Sequence, residues 1–473
     1  MGASLSQEGD APSPFVGSAF DFVRWGGGWA ILLLPLAIVL AVVLAEWASS
    51  SEGQDELLGR SAPVPAELGQ GLAFGPATHG LALAANADAI ALANERVANG
   101  PGQWLRQEGL AAALLQRFAL THDYADLKNA SDTLRKARGL APSGSGPWLR
   151  EAAAAMMNHD LAKAERALNG AAAMAVSPSR PDRAEIAAIR GDIAFYRGEM
   201  TGAAHRYREA RNLDETSTQP YRRAVLARSQ GHFDEARQLF AAAAATGDTP
   251  QMRAQIAMQI GRTDSAQGRY ASAAEWYREA DRLFPGSPLG AALNAEALAL
   301  SGDSDGAIAA LEKAIAAHRW PEMMDALAMI HRSRGERAES EYWSAQAREI
   351  WADRMSMAPL AAQAHAAEHE LAFGDPRRAL RLTSANLSAR PHGEARILMA
   401  NALLANGQPD KALGQLRAAE REGWRSAPMF AAMAEAAAMT GDDALSTEAT
   451  EKAERINPEI FKSATRLAWF GHG

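Results

Sequence analysis

Residues 260–285 read IGRTDSAQGRYASAAEWYREADRLFP. Two helical runs meet at Gly268-Arg269-Tyr270, and Pro285 ends the second. Glycine turns the chain at low steric cost, and proline cannot continue a helix interior. Ala273, Tyr277 and Ala280 recur at helical spacing and share one face. Ile260-Gly261 holds the facing position on the first run. Small residues let two such helices nest closely, and larger side chains fill the gap to the next pair.

The same pattern recurs on both sides. Glycines stand between alanine-rich runs at 198, 231, 268, 302, 335, 374, 407 and 441, with gaps of 33, 37, 34, 33, 39, 33 and 34. Gly191, Ala203, Tyr207 and Ala210 repeat the slots upstream, as do Phe233, Ala236, Phe240 and Ala243. Trp148 with Ala164 and Leu168 makes an earlier copy. Ala307 with Leu311 and Ala412 with Leu416 make later ones, and Pro391 and Pro458 close two units. The unit at Tyr124 has the spacing of a longer second helix, and the unit at Gly335 puts Ser340 in a small slot. A period near 34 with two helices per unit resembles the tetratricopeptide-repeat family. The resemblance covers about residues 104–459, roughly ten units of that period. It implies an all-α solenoid of stacked helical hairpins that binds other proteins and performs no chemistry of its own.

Composition points the same way. Alanine abounds, and apolar residues make up 48% of the chain, which favours helices in close approach. Arginine outnumbers lysine, a bias common in bacterial GC-rich genomes. The net charge of −8 is concentrated at the start, where residues 1–60 carry seven acids and two bases. No basic face remains for a phosphate backbone, so nucleic acid is not an expected partner. The absence of cysteine removes disulfides, thiolate nucleophiles and cysteine zinc sites together.

Ahead of the repeats, Trp29 to Ala45 reads WAILLLPLAIVLAVVLA, 17 residues without a charge. A span of the hydrocarbon core needs about 20, which extension to residues 25–47 supplies. Trp25, Trp29 and Trp47 flank it, where amphipathic rings favour the interface. A cleaved signal peptide remains the alternative, against which stand the length and the single base of the leading segment. Arg24 adjoins the span whereas Arg60 is distant, so the positive-inside rule places the solenoid outside the cytoplasm. The expected order is a tail at 1–24, a transmembrane helix at 25–47, a linker at 48–103 with one helix near 81–98, the solenoid at 104–459, and a capping helix at 460–473. Trp469-Phe470 leaves open a second role for that last segment, as a docking tail.

One chemical motif occurs. His365, Glu368 and His369 fit the H-x-x-E-H pattern, whose imidazoles share a helix face and can ligate one zinc while the glutamate activates water. The motif sits inside a repeat helix, so a metal site or zinc hydrolase is the weak alternative, and no cofactor is expected. No phosphate loop or nucleophile elbow is present.

In tetratricopeptide-repeat proteins the first helix of each unit lines the groove. The resemblance thus implies groove positions at Tyr196, Tyr221, Arg228, Arg262, Arg332 and Asn401. The regular lysine and asparagine set that grips chaperone tails in part of the family is missing here. The chain therefore reads as a single-pass inner-membrane scaffold, its periplasmic solenoid assisting a cell-envelope complex of the polysaccharide-export, secretion or cytochrome-maturation type. A cytoplasm-facing adaptor recruiting enzymes to the membrane is the competing topology, and self-association stays open.

Overall fold

The computed structural model describes Leu68 and residues 73–470 apart from 215, 217 and 248. The expected transmembrane helix at 25–47 lies outside them. Among the described residues no helix is long and apolar enough to cross a membrane. They form twenty-one α-helices, a 3-10 turn at the end and no strand.

Helix α1 (His79–Ala98) precedes ten helical hairpins. The first five pair α2 (Trp104–Thr121) with α3 (Tyr124–Leu140), α4 (Trp148–Met157) with α5 (Leu161–Ala172), α6 (Arg180–Tyr196) with α7 (Met200–Leu213), α8 (Thr218–Ser229) with α9 (Phe233–Ala245), and α10 (Pro250–Ser265) with α11 (Tyr270–Leu283). The second five pair α12 (Pro288–Leu300) with α13 (Ser304–Ala317), α14 (Pro321–Ser333) with α15 (Arg337–Met357), α16 (Pro359–Phe373) with α17 (Pro376–Ala389), α18 (Gly393–Ala405) with α19 (Pro409–Arg421), and α20 (Ala427–Thr440) with α21 (Asp443–Ile456).

The helices start where their first residues dictate. Thr249, Ser287 and Ser426 accept a main-chain N–H as N-caps, each followed by proline in the first turn. Small residues of one helix receive aromatic side chains from the other helix of the hairpin or from the turn that follows it. A methyl group added at Gly261 would sit 2.5 Å from the Tyr277 ring, and one at Gly170 would sit 2.6 Å from Trp148. Gly191 against Tyr207 and Gly393 against Trp424 are tighter still. Tyr277, Phe240 and Tyr207 are all buried. Burying such a ring stabilises by about 1.5–3 kcal/mol relative to leaving it exposed.

Seven of the eight inter-helix glycines adopt the left-handed conformation, with φ between 68° and 91°. Gly374 does not: its φ is −124° in the two-residue turn Gly374-Asp375 between α16 and α17. There the Glu370 carboxylate turns back to accept the Asp375 N–H at 2.9 Å. The 39-residue gap before Gly374 also has a plain cause: α15 runs 21 residues, against 14 for α11 and α13.

First helices form an inner layer and second helices an outer one. Helix α10 buries eleven residues where α11 buries five, and α20 buries eight where α21 buries two. The inner layer is covered on both sides because the solenoid coils back onto itself. Trp320 Nε1 donates to the Thr121 carbonyl at 2.7 Å, across 199 residues. The imidazole of His122 stacks on the Trp320 ring at 4.2 Å. Arg425 N–H donates to the Ser229 carbonyl, and Phe195 packs on Trp424. Asn457 reaches Tyr270 at 3.4 Å, and His79 N–H reaches the Pro285 carbonyl at 3.0 Å. Each contact joins units about six repeats of 34 residues apart.

The last segment is not the expected capping helix. After Ile456 it turns at Asn457, makes a 3-10 helix at Ser463–Leu467 and then extends. Ala468 has extended backbone, and the chain leaves the last hairpin to reach α12 and α14. Its apolar side chains find a surface one superhelical turn back rather than on α21, so no amphipathic helix is needed to bury them.

Candidate interaction surface

The inner helices carry a continuous set of polar and aromatic side chains. Arg222 of α8 bridges Asp192 and Glu185 of α6 at 3.0 Å each, and Tyr207 OH donates to Asp192 at 2.9 Å. Arg228 donates to Gln259 of α10 at 2.7 Å. Burial and the neighbouring Arg262 guanidinium lower the Arg228 pKa from the usual arginine value. Tyr196 meets the His392 ring edge-on at 5.1 Å, and the Arg390 guanidinium lies 5.7 Å from its centroid. Burial pushes the Tyr196 phenol up to about 12. Tyr196, Arg222 and Arg228 are half-buried, whereas Tyr207, Gln259, Arg390 and His392 beside them are buried.

Of the six groove positions, Tyr196, Tyr221, Arg228 and Arg262 lie on α6, α8 and α10 and are half-buried in that interior. Arg332 on α14 and Asn401 on α18 are exposed. Arg332 donates to the Ala372 carbonyl at 2.7 Å and stacks 4.4 Å from the Phe373 ring.

The seam between the first and seventh hairpins was not readable in advance. His122 ends α2 with φ 53°, and Arg354 donates to its carbonyl at 3.4 Å. Arg354 also pairs with Glu322 at 2.7 Å and lies over the Tyr124 and Trp351 rings at 4.7 and 5.2 Å. Burial lowers the His122 pKa to about 4, so this imidazole is neutral at physiological pH. The only local signal was a histidine at a helix C-terminus.

The H-x-x-E-H residues part company. His369 Nδ1 lies 2.7 Å from Asp325 Oδ1, and Trp351 Nε1 donates to the other oxygen of that carboxylate at 2.8 Å. His365 Nδ1 instead lies 3.0 Å from Glu368, with its ring stacked on Trp351. Each histidine thus faces a different carboxylate. Among the described residues no group of three His, Cys, Asp or Glu is placed to hold a metal ion.

The architecture defines a class of helical-hairpin solenoid, and comparison adds the repeat type. Residues 221–288 and 366–428 match the family model described as tetratricopeptide repeat. They span α8 to α11 and most of α16 to α19. No curated protein matches the chain. Among solved structures, a tetratricopeptide repeat protein from Parabacteroides merdae aligns at 14% identity and TM-score 0.33, covering 53% of this chain and 98% of that one. A thermophilic TPR protein of Thermus thermophilus aligns at 18% identity and TM-score 0.31, covering 42% and 98%. Yeast Tom70 aligns at 14% identity and TM-score 0.32, covering 81% and 95%. Those two stretches match the tetratricopeptide repeat, a building block of protein–protein interaction scaffolds.

Proposed function

We propose that this protein is a membrane-anchored scaffold, held by residues 25–47, whose inner-layer helices bind a partner protein of a cell-envelope assembly. The observation that carries the reading is the repeat itself. Stacked hairpins present one helix of each pair to a common inner face, where arginine and aromatic side chains are concentrated. Such side chains supply most of the energy in protein interfaces. Tethering beside a membrane raises the effective concentration for membrane-bound partners. Arg24 beside the apolar run favours the solenoid on the far side from the cytoplasm.

Two experiments test this. Reporters active only in the periplasm or only in the cytoplasm are fused at Gly473. Periplasmic activity is expected, and cytoplasmic activity overturns the envelope assignment. Photo-crosslinking residues placed at Arg332 and Asn401 in native membranes are expected to capture a second protein. Capture equal to that from the outer-layer position Arg337 overturns the inner-face assignment.

A further inference from the structure

The C-terminal tail occupies the inner layer as a ligand would. Beyond the 3-10 turn, Trp469 and Phe470 both donate their main-chain N–H to Glu296 Oε2, at 2.5 Å each. Glu296 is a buried carboxylate on α12, the first helix of the sixth hairpin. The Phe470 side chain is 7% exposed and belongs to the main hydrophobic core. Trp469 and Leu467 pack half-buried against the same core, and the Trp469 ring lies 6.2 Å from Phe373 of α16. Arg332 of α14 covers the other partner of that ring pair. The tail thus crosses the first helices of hairpins six, seven and eight.

Three features of this seat concern recognition rather than folding. First, a buried carboxylate spends its oxygen on two peptide N–H groups of a segment 173 residues away. Main-chain capture of that kind accepts any extended segment, and a carboxylate acceptor makes it stronger than a neutral one would. Second, the aromatic side chains supply the sequence preference, and aromatic anchors dominate peptide and protein interfaces. Third, the occupant is a short segment of one 3-10 turn and three following residues, not a packed helical hairpin. Such segments open locally at far lower cost than the hairpins beneath them.

We propose that the Glu296–Phe373 seat is a peptide-binding site and that the tail is its resident pseudo-ligand. The tail yields to an extended partner segment bearing two adjacent aromatic residues. The proposal rests on the scaffold reading and names its site. A partner must compete with an intramolecular tail at high effective concentration, so only a tighter segment or one delivered at the same membrane opens the seat.

The test uses the full chain in detergent and a labelled peptide of sequence SATRLAWFGHG, which is residues 463–473. The chain with W469A and F470A is expected to bind it at least about tenfold more tightly than the unaltered chain, whose own tail competes. Adding Glu296→Ala to that variant is expected to weaken binding about tenfold, the loss of a charge-assisted acceptor. Equal affinity for the two chains, or no binding to either while both unfold cooperatively, overturns the proposal. If the double variant does not fold, amide exchange of residues 465–470 in the unaltered chain is read instead. Excess peptide should speed it, and no change overturns the proposal. A concentration-dependent dimer of the unaltered chain that W469A and F470A abolish would mean that tails exchange between copies, and overturns the partner reading. Crosslinks from Arg332 to a second protein that persist unchanged in the double variant would remove this seat while leaving the scaffold intact. Absence of crosslinks from every inner-layer position would instead remove the scaffold reading.

Discussion

Among the long-range contacts that hold successive turns of this solenoid together, two are built differently. At the Trp320 seam, both sides are hairpins: the α2–α3 turn on one side, and α14 with α15 on the other. Stacked rings, a buried arginine and two hydrogen bonds to main-chain carbonyls meet there. At the Glu296 seat, one side is a hairpin and the other is a terminal segment with one 3-10 turn. Opening the first requires two rigid bodies to separate. Opening the second requires only that a short segment with one 3-10 turn lift from α12. The same solenoid therefore has a structural seam and a displaceable strap.

The comparison can be broken by substitution. Trp320→Ala removes a buried ring and the hydrogen bond to Thr121. A loss of about 3–5 kcal/mol is expected in urea unfolding, the usual range for a core tryptophan. A loss under about 1 kcal/mol would mean that the seam is a weak contact and that the turns part readily.

Acid probes the same seam. His122 has its pKa lowered to about 4 by burial, against 6.5 when free. A base with a depressed folded value binds fewer protons in the fold than in the unfolded chain. Its stabilising contribution is complete above pH 6.5 and is lost as pH falls toward 4. Each unit of the depression is worth about 1.4 kcal/mol. His159, lowered by burial as well, adds to the slope in the same direction. His122→Asn keeps a residue that tolerates the left-handed backbone and removes the titration. Thermal melts from pH 7.5 to 4.5 should show a shallower decline for it than for the unaltered chain. An unchanged slope would place the acid sensitivity elsewhere.

Phe470→Ala should have the smallest effect on global stability, about 1 kcal/mol, because the tail can detach without opening a hairpin. Its signature is local. Amide exchange at residues 465–470 should accelerate while α12 and α14 keep their protection. A loss equal to that of Trp320→Ala would make the tail part of the cooperative fold, and the strap description would fail.

Much of the fold is legible in single repeats. Gly261 with Tyr277 and Gly191 with Tyr207 sit at fixed spacing, and the structure sets each small residue beneath its aromatic partner. The 39-residue gap before Gly374 is taken up by the long α15, whereas the spacing suggests a longer second helix at the Tyr124 unit. Local patterns of this sort survive because a helix and its hairpin partner are decided within about 34 residues. The interaction surface is legible only in outline. Tyr196 and Arg228 lie on first helices, but nothing in their spacing shows that they end up enclosed. The terminal Trp469-Phe470 pair announces itself as apolar, yet a helical cap and an extended strap bury the same residues.

The order of side chains along this protein determined its helices, their pairing and their inner and outer faces, since each follows from period, turn residues and small-to-large complementarity between neighbours. Tertiary structure alone decided that Thr121 meets Trp320, that Ser229 meets Arg425 and that Glu296 receives the tail. Those meetings depend on the small rotation between adjacent repeats summed over about six of them. No local stretch of sequence encodes that sum.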